Sequence, residues 1–135
     1  MKNISKSWQK GFDSAKVASL HSNAPRISKR MGAALYSGNK LLSVGYNLFY
    51  KTHPKYTFYE NGEKFHKNVH AEWMALLKRQ HYSNTNLIMY VYRELDNGDL
   101  GCSEPCNMCY NMMEVAGVSK VRFINKGGHY EEVKL

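Results

Sequence analysis

Two short stretches of this 135-residue chain carry side chains that could bind a metal ion and move protons. The first is His70-Ala71-Glu72, and the second is Pro105-Cys106-Asn107-Met108-Cys109, with two cysteines three residues apart. Residues with that spacing share a helix face, so both thiols could reach one ion, and a helix N-terminus favours their thiolate form. With His70 as the third ligand, a tetrahedral Zn²⁺ would keep its fourth position for water, as catalytic zinc sites do.

Glu72 is the candidate proton carrier of this site. It lies two residues after His70, in the same helical turn but turned away from the ligand direction, so it would face water and substrate. Zinc lowers the pKa of a bound water to about 7. We expect Glu72 to pass a proton from that water to a ring nitrogen, while hydroxide attacks the amino-bearing carbon and ammonia leaves. The complete pattern, H-x-E followed by P-C-x-x-C, is the signature of zinc-dependent nucleobase deaminases.

Two other roles for the cysteines stay open at this point. Cys102 lies four residues before Cys106, and a His70–Cys102–Cys106–Cys109 set would form a closed, purely structural zinc site. That site would leave the spacing of Glu72 unexplained. A redox role for the Cys106-x-x-Cys109 pair would require neither the histidine nor the glutamate. Three cysteines within eight positions are a poor disulfide framework.

The composition is that of one globular domain over residues 1–135. Apolar residues make up 43% of the chain, but no apolar run approaches the ~20 residues of a membrane span. The first ten residues lack the apolar core of a signal peptide, so we expect a cytoplasmic protein without membrane contact. The net charge of +8 favours an anionic partner, such as a nucleotide phosphate or a polynucleotide, although a lysine-rich surface has the same charge.

Helices and strands alternate along the chain, which predicts an α/β fold with one mixed sheet. Apolar residues three or four positions apart predict a helix over residues 4–20, which ends before Pro25. Short apolar segments on both sides of Ser37-Gly38-Asn39-Lys40 predict a β-hairpin over residues 31–46. The other predicted elements are helices over residues 70–80 and 105–117, and strands over residues 87–92, 120–125 and 130–135.

Two connections between these elements are informative. Residues 47–68 are aromatic and basic without clear periodicity, and loops of that length are usually functional or mobile. By contrast, about three residues, Lys126-Gly127-Gly128, separate the last two strands. A parallel pair requires a crossover connection of about a dozen residues or more, so we expect the last strand to be antiparallel to its neighbour.

The motifs also give the chain a resemblance to a known family. The segments His70-Ala71-Glu72-Trp73-Met74-Ala75-Leu76 and Glu104-Pro105-Cys106-Asn107-Met108-Cys109 resemble the cytidine/deoxycytidylate deaminase superfamily. The first segment is most similar to the tRNA adenosine deaminases. The hairpin end Val44-Gly45-Tyr46-Asn47 resembles the strand that supplies a base-contacting Asn in deoxycytidylate and tRNA deaminases. The resemblance covers residues 30–125.

The resemblance implies a cytidine-deaminase-like, three-layer α/β/α fold with a five-stranded sheet. It implies a zinc-dependent hydrolase that acts on the C–N bond of a cyclic amidine, and a homo-oligomer, since relatives commonly assemble. Asn47 would hydrogen-bond the base or sugar, and the backbone of Ala71 would contact the base. The residues that it assigns to zinc and to proton transfer are His70, Cys106, Cys109 and Glu72.

Three functions are compatible with these features. The leading hypothesis is deamination of cytosine to uracil in a free nucleoside or nucleotide, with dCMP as the main case and loop lysines for its phosphate (Lys51, Lys55, Lys64 and Lys67). The second is deamination of cytosine or adenine in tRNA or single-stranded DNA, which the net charge and the aromatic loop favour. The third is a non-catalytic, zinc-stabilised binding module. The motifs do not distinguish cytosine from adenine or guanine.

Overall fold

The computed structural model describes residues 4–48, 58–60, 63–65, 69–79 and 85–135. These ranges contain the helices α1 (Lys6–Ser19), α2 (Ala71–Lys78) and α3 (Asn107–Val115), and one 3₁₀ turn, Ile27–Lys29. They also contain the strands β1 (Met31–Ser37), β2 (Lys40–Tyr46), β3 (Phe58–Glu60), β4 (Glu63–Phe65), β5 (Leu87–Arg93), β6 (Val118–Ile124) and β7 (Tyr130–Lys134). No helix in this part of the chain is long and apolar enough to cross a membrane.

Five strands form one mixed sheet in the order β2-β1-β5-β6-β7. β1 pairs antiparallel with β2 and with β5, and β5 pairs parallel with β6. β7 is antiparallel to β6, as the short connection predicted. That connection is a tight turn in which Asn125 Oδ1 accepts hydrogen bonds from the backbone N–H groups of Gly127 and His129. The mixed sheet, its first hairpin and its antiparallel last strand are therefore confirmed.

Helices cover both faces of the sheet. Side chains alternate between the faces of a strand, so each strand contributes to two separate cores. Beneath α2 and α3, the strand residues of the core are Ala33, Leu35, Leu87, Met89, Val91, Val118, Val121 and Phe123. Beneath α1, they are Ala34, Tyr36, Ile88, Tyr90, Tyr92 and Ile124. This arrangement confirms the three-layer α/β/α fold.

Two glycines let the helices approach the sheet. A Cβ atom on Gly45 would lie 2.6 Å from the backbone nitrogen of Ala75 in α2. A Cβ atom on Gly32 would lie 2.6 Å from the backbone nitrogen of Ser19 in α1. Both distances are too short for a real carbon atom, so these helices pack against bare backbone of β1 and β2.

The helix starts differ from the predicted ones. The helix predicted over residues 70–80 begins at Ala71, with His70 as its N-cap. The helix predicted from Pro105 begins at Asn107, with Cys106 as its N-cap, so the proline precedes the helix and does not lie in its first turn. The Cys106 backbone is extended (φ −72°, ψ 165°), as is typical of an N-cap residue, so helical conformation starts only at the next residue. The predicted end is confirmed, because Gly117 follows the helix with φ +89°.

The long segment over residues 47–68 is described only in part. Within it, β3 and β4 pair antiparallel, and Leu48 forms an isolated bridge with Val69. The loop lysines Lys51, Lys55 and Lys67 lie outside the described residues, as does the side chain of Lys64.

Candidate metal centre and active site

Three of the predicted ligands form one cluster. The Nδ1 atom of His70 is 3.3 Å from the Sγ atom of Cys109 and 4.0 Å from the Sγ atom of Cys106. All three ligand atoms lie within 4.8 Å of one another. A tetrahedral zinc with bonds of about 2.0 Å to nitrogen and about 2.3 Å to sulfur places its ligands roughly 3.5 to 3.8 Å apart. The donor types and their spacing therefore fit a Zn²⁺ ion.

Two helix N-termini meet at this cluster. His70 is the N-cap of α2 and Cys106 is the N-cap of α3, and neither side chain makes a capping hydrogen bond. Their side chains point to the cluster instead. Cys109 is the third residue of α3, so the two cysteines occupy the N-cap and N3 positions, which face each other across the first turn of a helix. The positive ends of both helices favour anionic thiolates here.

Burial disfavours the charged form of two of these ligands, the thiolate of Cys109 and the imidazolium of His70. It raises the pKa of the Cys109 thiol, and the nearby Glu72 and Cys106 raise it further. Burial also lowers the pKa of His70, so the imidazole is held in the neutral form that binds metals. A buried thiol becomes a thiolate readily only beside a positive charge, which a Zn²⁺ ion at this cluster would supply.

Glu72 is buried beside the cluster, with 3% of its surface exposed. Burial raises the pKa of its carboxyl group, and hydrogen bonds with its own backbone N–H and with Cys109 offset this shift only in part. A raised pKa makes the carboxylate a stronger proton acceptor than an exposed one. Its position and its chemistry suit the proton-carrying role that the sequence predicts.

A cavity of about 250 Å³ brings most of the predicted site residues together. Among the described residues it is lined by Met31, Asn47, Val69, His70, Ala71, Glu72, Glu104 and Cys106. Cys109 lies behind this wall and is fully buried. The volume is below the roughly 300 to 1,000 Å³ that is typical of pockets for drug-sized ligands.

Asn47 is held firmly on this wall. Its Oδ1 atom accepts a hydrogen bond from the Met31 N–H at 2.9 Å, and its Nδ2 atom donates one to the Lys29 carbonyl at 2.8 Å. An amide side chain has two donor hydrogens and two acceptor lone pairs, so one of each remains for other partners. The predicted contact of Asn47 with a base or sugar stays a prediction, as does that of the Ala71 backbone.

Cys102 does not belong to the cluster. The metal-binding group that the described residues form comprises His70, Cys106 and Cys109. The Cys102 thiol is not part of that group, and the backbone carbonyl of Cys102 accepts a hydrogen bond from the Arg93 guanidinium at 3.2 Å. A four-ligand structural site that includes Cys102 is therefore not present in this arrangement.

Trp73 supports the histidine and was not identified as a site residue from the sequence. Its ring stacks on the His70 ring, with the centroids 5.4 Å apart and the planes inclined by 23°. The available signal was their spacing of three residues, which places side chains one above the other at the start of a helix. The stack restricts rotation of the imidazole and so helps to aim its Nδ1 atom at the thiols.

The chain is similar to proteins of known family and structure. A family model described as the cytidine and deoxycytidylate deaminase zinc-binding region matches residues 5–125. No curated protein sequence matches the chain.

Similar solved structures include three deaminases. The cytidine deaminase from Burkholderia pseudomallei has a TM-score of 0.61 and 20% identity, with 97% of this chain and 93% of that chain covered. The one from Mycobacterium leprae has a TM-score of 0.57 and 20% identity, with 96% and 94% covered. The dCMP deaminase from cyanophage S-TIM5 has a TM-score of 0.57 and 23% identity, with 88% and 82% covered. The last protein has also been solved in complex with dCMP and dUMP.

Proposed function

The chain belongs to the cytidine and deoxycytidylate deaminase family, and from that premise we propose that it converts cytosine to uracil in a free nucleoside or nucleotide. As a member of this family, the chain is a zinc-dependent hydrolytic deaminase of the cytidine type. The observation that supports a cytosine compound as the substrate is the small cavity, in which the buried Glu72 lies beside the metal cluster.

The cluster provides the metal chemistry of this reaction. His70, Cys106 and Cys109 would hold Zn²⁺, which when bound lowers the pKa of water to about 7 and makes hydroxide available at neutral pH. The stacked Trp73 ring and the two helix N-termini keep the three ligands in place.

Glu72 moves the protons. Its carboxylate accepts a proton from the attacking water and donates it to the ring nitrogen of cytosine. The amino-bearing carbon then carries both the new hydroxyl and the amino group. Glu72 takes the hydroxyl proton and delivers it to the amino group, so that the C–N bond breaks, uracil forms and ammonia leaves. Burial keeps bulk water away from the carboxyl group and so preserves its raised pKa.

The cavity wall orients the base. Asn47 has one amide hydrogen and one acceptor lone pair beyond its bonds to Lys29 and Met31, and these would meet the base or the sugar. The backbone of Ala71, at the start of α2 and on the same cavity wall, would also contact the base. Because Asn47 is fixed by two backbone bonds, it requires little reorganisation to bind substrate.

The cavity volume of about 250 Å³ does not distinguish a free nucleotide from a base turned out of a polynucleotide, since both present one base. What favours a free substrate is the likeness to a deaminase that has been solved with free nucleotides. The cyanophage relative binds dCMP and dUMP, so a 5′-phosphate is compatible with this fold. A polynucleotide substrate is the alternative, and the net charge of +8 favours it.

The test is an ammonia-release assay with zinc-loaded protein on cytosine, cytidine, deoxycytidine, dCMP, adenosine, single-stranded DNA and tRNA. We expect release from a free cytosine compound. Glu72→Gln should reduce kcat by about 10² to 10⁴-fold while the zinc content stays near one per chain. Glu114→Gln, at an exposed position on α3, is the matched control. Activity on DNA or tRNA alone, with strong salt dependence, would support the polynucleotide alternative. A wild type that releases no ammonia would favour the non-catalytic module.

We also propose that the chain forms a homo-oligomer. A groove of about 520 Å³ lies between α2 and α3, and apolar side chains line most of it. Val115 is 90% exposed and Leu77 is 39% exposed on this surface, and adjoining exposed apolar side chains are typical of protein–protein interfaces. Light scattering should show more than one chain per particle, and Val115→Glu should reduce that number. A monomeric wild type would contradict the proposal.

A further inference from the structure

Ser103 is a buried polar residue that the reaction described above does not use. None of its surface is exposed, and its backbone and hydroxyl together make three hydrogen bonds. Its backbone N–H donates to the Ile124 carbonyl at 2.8 Å, and its hydroxyl donates to the Val91 carbonyl at 2.7 Å. The same hydroxyl accepts a hydrogen bond from the Ile124 N–H at 2.8 Å. One side chain thus connects the ends of two neighbouring strands.

The hydroxyl replaces a rung of the β5–β6 ladder. The parallel pairing of these strands extends from Leu87↔Val118 to Tyr90↔Arg122. Immediately beyond it, the Val91 carbonyl and the Ile124 N–H are bridged by the Ser103 oxygen. Ser103 is therefore wedged between the carboxyl ends of β5 and β6.

Ser103 is the last residue before Cys106 that these hydrogen bonds hold against the sheet. The connection from β5 folds back on itself, with Glu94 bridged to Leu100, and the Gly101 N–H bonds to the Arg93 carbonyl at 2.9 Å. From Ser103 the chain reaches Cys106 in three residues. One of these three is a proline, whose ring fixes the backbone angle φ.

We propose that Ser103 is a positioning residue for the metal centre. By fixing the segment that leads into α3, its hydroxyl sets where the Cys106 and Cys109 sulfurs lie relative to His70. This inference rests on the proposed zinc ligation.

Removal of the Ser103 hydroxyl leaves two backbone groups without a hydrogen-bond partner. With alanine at position 103, the Val91 carbonyl and the Ile124 N–H would both lose their partner in a space without solvent. Buried backbone groups are strongly driven to recover hydrogen bonds. The strand ends would approach each other or the segment would shift, and either movement displaces Cys106.

Ser119 provides a matched control. Its hydroxyl donates to the Leu87 carbonyl at 3.0 Å, so it also joins β6 to β5, but at the opposite end of the strand pair. Ser119→Ala removes one partly buried hydroxyl-to-carbonyl bond between the same two strands, at the end away from Ser103. A general loss of sheet stability would affect both variants, whereas a loss of ligand geometry should affect Ser103→Ala alone.

The experiment compares zinc affinity in wild type, Ser103→Ala and Ser119→Ala, by competition with a chromophoric chelator. The cobalt-substituted proteins report the geometry through their thiolate-to-cobalt absorption bands. We expect Ser103→Ala to bind zinc roughly 10 to 100-fold more weakly, with altered bands. Ser119→Ala should match wild type in both measurements.

If Ser103→Ala is insoluble, Ser103→Gly, which also removes the hydroxyl, takes its place with the same expected result. Wild-type zinc affinity and unaltered cobalt bands in a folded Ser103 variant would overturn the inference. A wild type that binds no zinc would contradict the proposed ligation itself, so the two failures are distinguishable.

Discussion

Gly45→Ala should damage the active site through the placement of α2. The new Cβ atom would lie 2.6 Å from the Ala75 nitrogen, and closer still to the Ala71 carbonyl, whereas ordinary contacts begin at 3.4 Å. Helix α2 would therefore have to move by at least 0.8 Å. Displacements of about 1 Å at a reacting centre cost on the order of 100-fold in rate. Because α2 carries Glu72 and has His70 as its N-cap, we expect kcat/KM to fall by about that factor.

Gly32→Ala separates this effect from general destabilisation. Its Cβ atom would lie 2.6 Å from the Ser19 nitrogen in α1, on the opposite face of the sheet, and α1 does not line the cavity. Overpacking should reduce the free energy of unfolding of each variant by about 1 to 3 kcal/mol. Chemical denaturation measures that loss, and ammonia release per zinc-loaded chain measures kcat/KM. Equal activity losses in both variants, or wild-type kcat/KM in Gly45→Ala, would refute the reasoning.

Three further predictions concern the metal and the opposite face of the sheet. Cys102→Ser should keep about one zinc per chain after dialysis, whereas Cys106→Ser should lose the metal. Elemental analysis measures both contents. Zinc loss in Cys102→Ser would support the four-ligand site instead. Chelation should destabilise the fold, because free zinc at 100 times its Kd stabilises a folded protein by about 2.7 kcal/mol; a melting temperature independent of zinc would contradict this. Arg122 bonds Glu132 at 2.9 Å and also Tyr90, and its side chain is 10% exposed. Arg122→Met should cost about 3 kcal/mol in denaturation without a change in zinc affinity.

The parts of the fold that follow from local rules were predictable. The amphipathic spacing of residues 4–20 identified α1, and turn residues identified the first hairpin. The direction of the last strand followed from the length of one turn, since a short connection cannot join parallel neighbours. These features depend on residues near one another in sequence, which is why the sequence alone was sufficient.

The supporting residues of the site could not be predicted in the same way. Ser103 acts between two strands that are distant in sequence, and nothing in its local context distinguishes it from a loop serine. The amide of Asn47 holds the backbone of residues 29 and 31, which depends on the return of β2 alongside β1. Both roles arise from tertiary contacts that bring separate segments together.

The two helices start one or two residues later than predicted, and these observed starts explain the residue spacing in the two motifs. A free helix start is best served by a side chain that caps its own backbone, but His70 and Cys106 occupy N-cap positions and point to the cluster instead. From an N-cap, the N2 position places Glu72 on the cavity wall, and the N3 position brings Cys109 back to the first ligand. The intervals in H-x-E and C-x-x-C are thus the geometry of two helix beginnings. An insertion of one residue in either interval would rotate one functional group by about 100° away from the metal.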